Sequence, residues 1–230
     1  MNLTEARTLR QLLRGMPGTG DHADRLEAFY GPQAADYDRF RERLLPGRGE
    51  LMAWLKPEPG ESVVELGAGT GRNPEFFGAE VAALGQLTLV DLCPSLLAQA
   101  RRRWSRSPNV AVVEANACFW RPDLAVDAVY FSYALTMIPD WQAAVDNALA
   151  MLRPGGRLGV VDFTVTACQS WAERSFWRTW FKHDGVHLDA EHPATLACLL
   201  PRHELRERRT PVPYLPGMTV PYYLFLGIKE

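Results

Sequence analysis

From Glu61 onward, short runs rich in β-branched residues alternate with stretches of helical spacing. The runs are Ser62–Glu65, Leu87–Asp91, Val110–Val113, Val126–Phe131 and Leu158–Asp162. Ser95–Arg103 and Trp141–Leu152 are two of the helical stretches between them. Parallel strands need long crossovers, which helices supply. The alternation therefore predicts a doubly wound α/β sheet, mostly parallel, with helices on both faces. A length of 230 residues suits one large domain. Residues 1–57 read as an N-terminal helical cap. Leu26, Phe29 and Tyr30, then Leu44, Leu45, Leu51 and Leu55, recur at helical spacing, with Asp21 as a helix N-cap. Residues 58–165 form the sheet core, and residues 166–230 a helical insertion and a final strand pair. Those strands, about Glu204–Arg209 and Tyr222–Lys229, are expected as an antiparallel hairpin interrupted by Pro211, Pro213 and Pro216.

Composition narrows the partners. Hydrophobic residues are 47% and charged residues 23%, as in globular proteins. With 25 basic against 27 acidic residues, net charge is −2, which gives no ground for nucleic-acid binding. Cys93, Cys118, Cys168 and Cys198 form no Cys-x-x-Cys, against a zinc ribbon or a thioredoxin-like motif. No run of 18 apolar residues occurs, so no bilayer span is expected. The first residues carry Glu5 and several Arg without an apolar stretch, unlike a signal peptide, and a cytoplasmic location is expected.

The first run leads into Glu65-Leu66-Gly67-Ala68-Gly69-Thr70-Gly71. Three glycines in five residues let a ligand approach the backbone, and a following helix is expected to offer free N–H groups. The order departs from the G-x-G-x-x-G dinucleotide fingerprint, since the third glycine comes one residue early and Arg72 takes its place. Glu65 suits a cationic group of a ligand better than a pyrophosphate. Asp91 ends the second run, twenty residues after Gly71, where an acid can hold both hydroxyls of a ribose. It can equally cap a helix, as can Ser95. Asn116, after the third run, offers a donor and an acceptor to an adenine edge, although Asn is also common in loops.

These residues resemble the class I S-adenosylmethionine-dependent methyltransferases over about residues 58–165. Their E/D-x-G-x-G-x-G loop is matched by Glu65–Gly71 and their ribose acid by Asp91, while Asn116 stands where they carry an adenine-loop acid. The resemblance implies a Rossmann-like fold and S-adenosylmethionine as cofactor. Longer strings go further: Phe29–Asp38, Gly71-Arg72-Asn73, Ser132–Trp141, Val160–Phe163, Asp184–Leu188 and Pro221-Tyr222-Tyr223. They resemble the diacylglyceryl-homoserine N-methyltransferases of betaine-lipid synthesis. That resemblance implies three methyl transfers onto one amine and a lipid substrate at the membrane surface. It also implies peripheral association with the cytoplasmic membrane face and an aminocarboxypropyl transferase as pathway partner. Quinone and phosphatidylethanolamine methyltransferases share some of the strings. A small-molecule methyltransferase therefore stays open, as does an inactive cofactor-binding interaction protein.

The cofactor set so implied is Tyr37, Arg48, Glu65, Gly67, Gly69, Gly71, Asp91, Leu92, Asn116, Ala117, Ser132 and Met137, with Tyr37 or Arg48 meeting the methionine carboxylate. The catalytic set is Tyr30, Tyr133, Trp180 and His187. A quaternary ammonium product is held by aromatic faces, and His187 reads as a headgroup ligand, a weak base or a plain loop histidine. No metal is expected, because Gly185 interrupts the His183/His187 spacing and no third ligand follows. In Trp171–Lys182, helical spacing puts Phe176, Trp177, Trp180 and Phe181 on one face and Arg174, Arg178 and Lys182, beside Trp171, on another. Such a helix suits a membrane surface or a core-packed helix with a solvated side.

Overall fold

The computed structural model describes residues 15–35, 37, 38, 42, 44–212, 215 and 217–230. The first fourteen residues of the expected helical cap, and the prolines at 213 and 216, lie outside these residues.

The β-branched runs form the strands β1 (Ser62–Leu66), β2 (Gln86–Asp91), β3 (Val110–Glu114), β4 (Val126–Ser132) and β5 (Leu152–Phe163). All neighbours among these five pair in parallel. Then β7 (Thr219–Ile228) runs antiparallel between β5 and β6 (His203–Pro211). The described strands lie in the order β3-β2-β1-β4-β5-β7-β6. This is the doubly wound, Rossmann-like sheet with a late antiparallel hairpin. Val63, Val64, Leu66, Leu87, Leu89 and Val90 are all buried, as strands covered on both faces require. Order reverses between β1 and β4, which opens a crevice at their C-terminal ends.

The cap contains α1 (His22–Tyr30), a 3₁₀ turn over Gly31–Gln33 and α2 (Arg48–Leu55). Asp21 caps α1 by accepting from Asp24 N at 2.8 Å. The core helices are α3 (Pro94–Arg103) and α4 (Trp141–Met151), followed by α5 (Trp171–His183) and α6 (Glu191–Leu199). Two expectations need correction. The segment after the glycine loop, Asn73–Ala83, is 3₁₀ and breaks at Gly78, so no α-helix N-terminus faces the loop. Strand β5 also begins at Leu152, straight from α4, rather than at Leu158.

Candidate functional site

A cavity lies over the C-terminal ends of β1, β2 and β4, beneath α1 and the segment leading to α2. On its sheet side the glycine loop sets the geometry. Gly67 has φ +77°, and a Cβ there would overlap that of Ala134 at the end of β4. Only glycine lets these two turns meet. Gly69 borders the cavity, with only Leu96 Cδ1 within 4 Å of where its Cβ would stand. Gly71 is behind the cavity wall, facing Leu89, Ala100 and Trp104, so its demand is packing.

Asp91 lines the cavity with both oxygens anchored: Cys93 N donates to Oδ1 and Gly69 N to Oδ2, each at 2.8 Å. Burial raises its pKa, while the backbone donors oppose that rise. The helix-cap alternative fails for both residues considered. Cys93 occupies the α3 N-cap position, and Ser95 lies inside the helix. Glu27 of α1 caps α3 from outside: Ser95 N donates to it at 3.0 Å, and the Ser95 hydroxyl also bonds to it. This ties the cap to the core beside the cavity.

Glu65 is fully buried and does not reach the cavity wall, which corrects the expectation that it faces a ligand's cation. Asn73 Nδ2 donates to it at 2.6 Å and Tyr130 OH at 2.8 Å. Burial pushes its pKa up to about 8, so it is mostly protonated at neutral pH. Asn73 in turn accepts from Arg48 Nη1 at 3.4 Å, and both Asn73 and Arg48 line the cavity. Sequence reading passed over Asn73 as a site residue, although the Gly71-Arg72-Asn73 string contains it. Arg48 is itself buried and donates to Leu45 O at 3.0 Å.

Leu92, Asn116, Ala117, Ser132 and Met137 also line the cavity. Asn116 Oδ1 accepts from Cys118 N at 2.8 Å, which anchors the side chain on the cavity wall. Ser132 Oγ is buried on the wall without a partner among the described residues.

Aromatic rings line the cavity as well. Tyr30 and Tyr37 meet edge-on with centroids 5.6 Å apart. Tyr133 takes φ +55°, rare for a bulky residue, and its hydroxyl donates to Pro46 O at 2.7 Å. All three line the cavity. So does His22, which sequence reading missed because a histidine opening a helix carries no motif. Burial, then Arg25, lowers its pKa, with His187 adding to the effect. His187 itself is exposed, off the cavity wall, with its backbone N–H donated to Thr136 O at 2.8 Å. Trp180 is also absent from the wall: it faces solvent on α5. His183 ends α5 and Gly185 follows at φ +76°, so the two histidines share no helix face.

The profile of a methyltransferase-domain family matches residues 37–208, three quarters of the sequence. The chain belongs to that family. It is an S-adenosylmethionine-dependent methyltransferase domain. Relatives include a ubiquinone/menaquinone biosynthesis C-methyltransferase of Roseobacter denitrificans, 27% identical over 161 residues, covering 63% of this chain and 61% of the relative. One of the same description from Shewanella halifaxensis is 34% identical over 151 residues, covering 62% and 60%. The chain thus spans about three fifths of the length of these curated relatives. Among solved structures, phosphoethanolamine N-methyltransferase 2 of Haemonchus contortus superposes with TM-score 0.73 at 15% identity, covering 93% of this chain and 61% of that one.

The methyltransferase cavity fits this cofactor. Asp91 presents a carboxylate with spare lone pairs for two ribose hydroxyls, Arg48 a cation for a carboxylate, and the unpartnered Ser132 Oγ a further polar contact. The open space at Gly69 leaves room against the backbone.

Proposed function

We propose that this methyltransferase methylates the amine of diacylglyceryl-homoserine three times, giving diacylglyceryl-trimethylhomoserine. The observation that carries the reading is that Tyr30, Tyr37 and Tyr133 line the same cavity as the polar cofactor residues. An amine that gains methyl groups loses N–H donors at each step. A site built on hydrogen bonds to it would leave buried groups unpaired, whereas aromatic faces hold ammonium at every stage. The string resemblance, which spans most of the chain, points to the acceptor's identity.

The cofactor supplies an electrophilic methyl on a sulfonium. The amine lone pair forms the new C–N bond as the C–S bond breaks, leaving S-adenosylhomocysteine. After the first and second transfers a proton must leave the nitrogen; after the third none remains. His22 is placed for that task, because it borders the cavity and its surroundings favour the neutral ring. Arg48, positioned through Asn73 and Glu65, orients the methionine carboxylate. The acceptor would come from an enzyme that attaches an aminocarboxypropyl group to diacylglycerol.

A quinone ring is the second reading, supported by the curated relatives' descriptions. Radiolabelled methyl transfer from S-adenosylmethionine to separate micelles of diacylglyceryl-homoserine, phosphatidylethanolamine and a demethylated quinone separates the readings. Label in the homoserine lipid is the expected result. Label only in quinone or phosphatidylethanolamine moves the assignment there, and no label in any acceptor leaves the inactive binding protein.

A further inference from the structure

We infer that α5 docks the protein onto an anionic lipid bilayer surface. The helix buries little of itself. Trp177 is 1% exposed and Phe181 half-buried, and they fix α5 to the core. Trp171 is 77% exposed, Trp180 47% and Phe176 37%, so the remaining aromatics face outward. Phe176 and Trp180 stack on each other at 5.9 Å, forming a raised apolar patch. Lone exposed apolar residues are ordinary, but three large aromatics on one short helix call for a cover.

Charge identifies the cover. Arg48, Arg72, Arg103, Arg153, Arg157, Arg206, Arg208 and Arg209 all form ion pairs. Arg174, Arg178 and Lys182 form none among the described residues, and neither do Arg101, Arg102, Arg106 and Arg202, but those on α5 share their helix with three exposed aromatics. Three unneutralised cations on one flank of the helix beside Trp171, with Phe176 and Trp180 exposed on the other flank, suit anionic headgroups with indole rings at the headgroup boundary. The patch also leads to the cavity. Tyr133 on the cavity wall contacts Phe163 at 4.7 Å, Phe163 contacts Phe181 at 4.9 Å, Phe181 contacts Trp177 at 5.9 Å, and Trp177 contacts Phe176 at 5.0 Å. An aromatic row thus joins the reaction cavity to the docking face. The purpose of docking rests on the lipid-acceptor reading, but the docking itself does not.

The test uses the full chain with vesicles lacking any acceptor amine: phosphatidylcholine alone, or with three tenths phosphatidylglycerol. Sedimentation should show partition onto the anionic vesicles at least tenfold above the neutral ones, falling as salt rises. The double charge reversal Arg178→Glu with Lys182→Glu should weaken anionic binding by about twentyfold or more, at roughly fivefold per charge removed. Trp171→Ser with Trp180→Ser should weaken it several-fold and abolish fluorescence quenching by brominated acyl chains that the parent shows. Both variants should keep the parent's melting temperature and S-adenosylmethionine affinity. Equal binding to both vesicle types, or variants that bind as the parent does, overturns the inference. So does a parent dimer that dissociates in the tryptophan variant, which would make a second copy the cover. Failed docking with the homoserine lipid still methylated in detergent micelles sinks the docking face alone. Intact docking without methylation of that lipid sinks the acceptor assignment alone.

Discussion

On the sheet side of the cavity, polar atoms are fixed by the backbone. Both oxygens of Asp91 are anchored by amide N–H groups, Glu65 and Asn73 are bonded behind Arg48, and Gly67 brings two turns into contact. On the cap side, Tyr30 and Tyr37 meet edge-on, and the Tyr133 hydroxyl, reaching from the end of β4, donates to Pro46 O and holds the segment down. The first wall is a rigid template for one cofactor. On the proposed function, the second receives an acceptor whose nitrogen changes at each turnover. Changes to the first should therefore act on folding and cofactor affinity, and changes to the second on the acceptor.

The largest expected effect lies beneath the sheet-side wall. The Glu65 pKa is raised from 4.5 to about 8, so the folded state holds a proton that the unfolded state releases. Stability from that neutral carboxyl is complete below pH 4.5 and declines as pH rises towards 8. Glu65→Gln keeps one acceptor for Asn73 and removes the titration. Relative to the parent, the variant should gain up to about 1.4 kcal/mol per pH unit across that window. Urea unfolding at pH 5 and pH 8 checks this, and parallel pH profiles for the two proteins would contradict it. Next is Gly67→Ala, which combines a left-handed backbone with overlap on Ala134. It should cost about 3 kcal/mol of folding stability, readable in the same unfolding experiment.

Asp91→Ala should weaken S-adenosylmethionine binding by about 2 kcal/mol, since its bonds are to a charged group. Calorimetry should show this with the acceptor KM little changed; unaltered cofactor affinity would remove Asp91 from the site. The smallest effect is expected across the cavity. Tyr133→Phe removes the bond to Pro46 O, worth about 1 kcal/mol, while keeping the ring. Its signature should be a raised acceptor KM with cofactor affinity within about twofold. If it instead weakened S-adenosylmethionine as Asp91→Ala does, the division between the two walls would be wrong.

The two walls also differ in how far sequence revealed them. The strand positions, the glycine loop and the placement of Asp91 follow from local rules: β-branched runs, positive-φ turns and the acid ending β2. The resemblance drawn from those residues led to the family that matches the chain. Packing decided the rest. Glu65 reads as a ligand residue by position, yet its strand carries it under the loop into full burial. His22 and Asn73 reach the cavity through folding of the cap and the 3₁₀ segment, and no spacing rule announces either. Helical periodicity grouped Phe176 and Trp180 with Trp177 and Phe181. Only the docking angle of α5 separates the two outward rings from the two inward ones, Trp177 and Phe181.

The most direct test of the account is a time course of purified protein with diacylglyceryl-homoserine and excess S-adenosylmethionine, read by lipid mass spectrometry. An aromatic acceptor wall predicts mono-, di- and then trimethylated lipid in succession, ending with the quaternary species. Arrest at the monomethyl lipid, with cofactor in excess and enzyme still active, would contradict it.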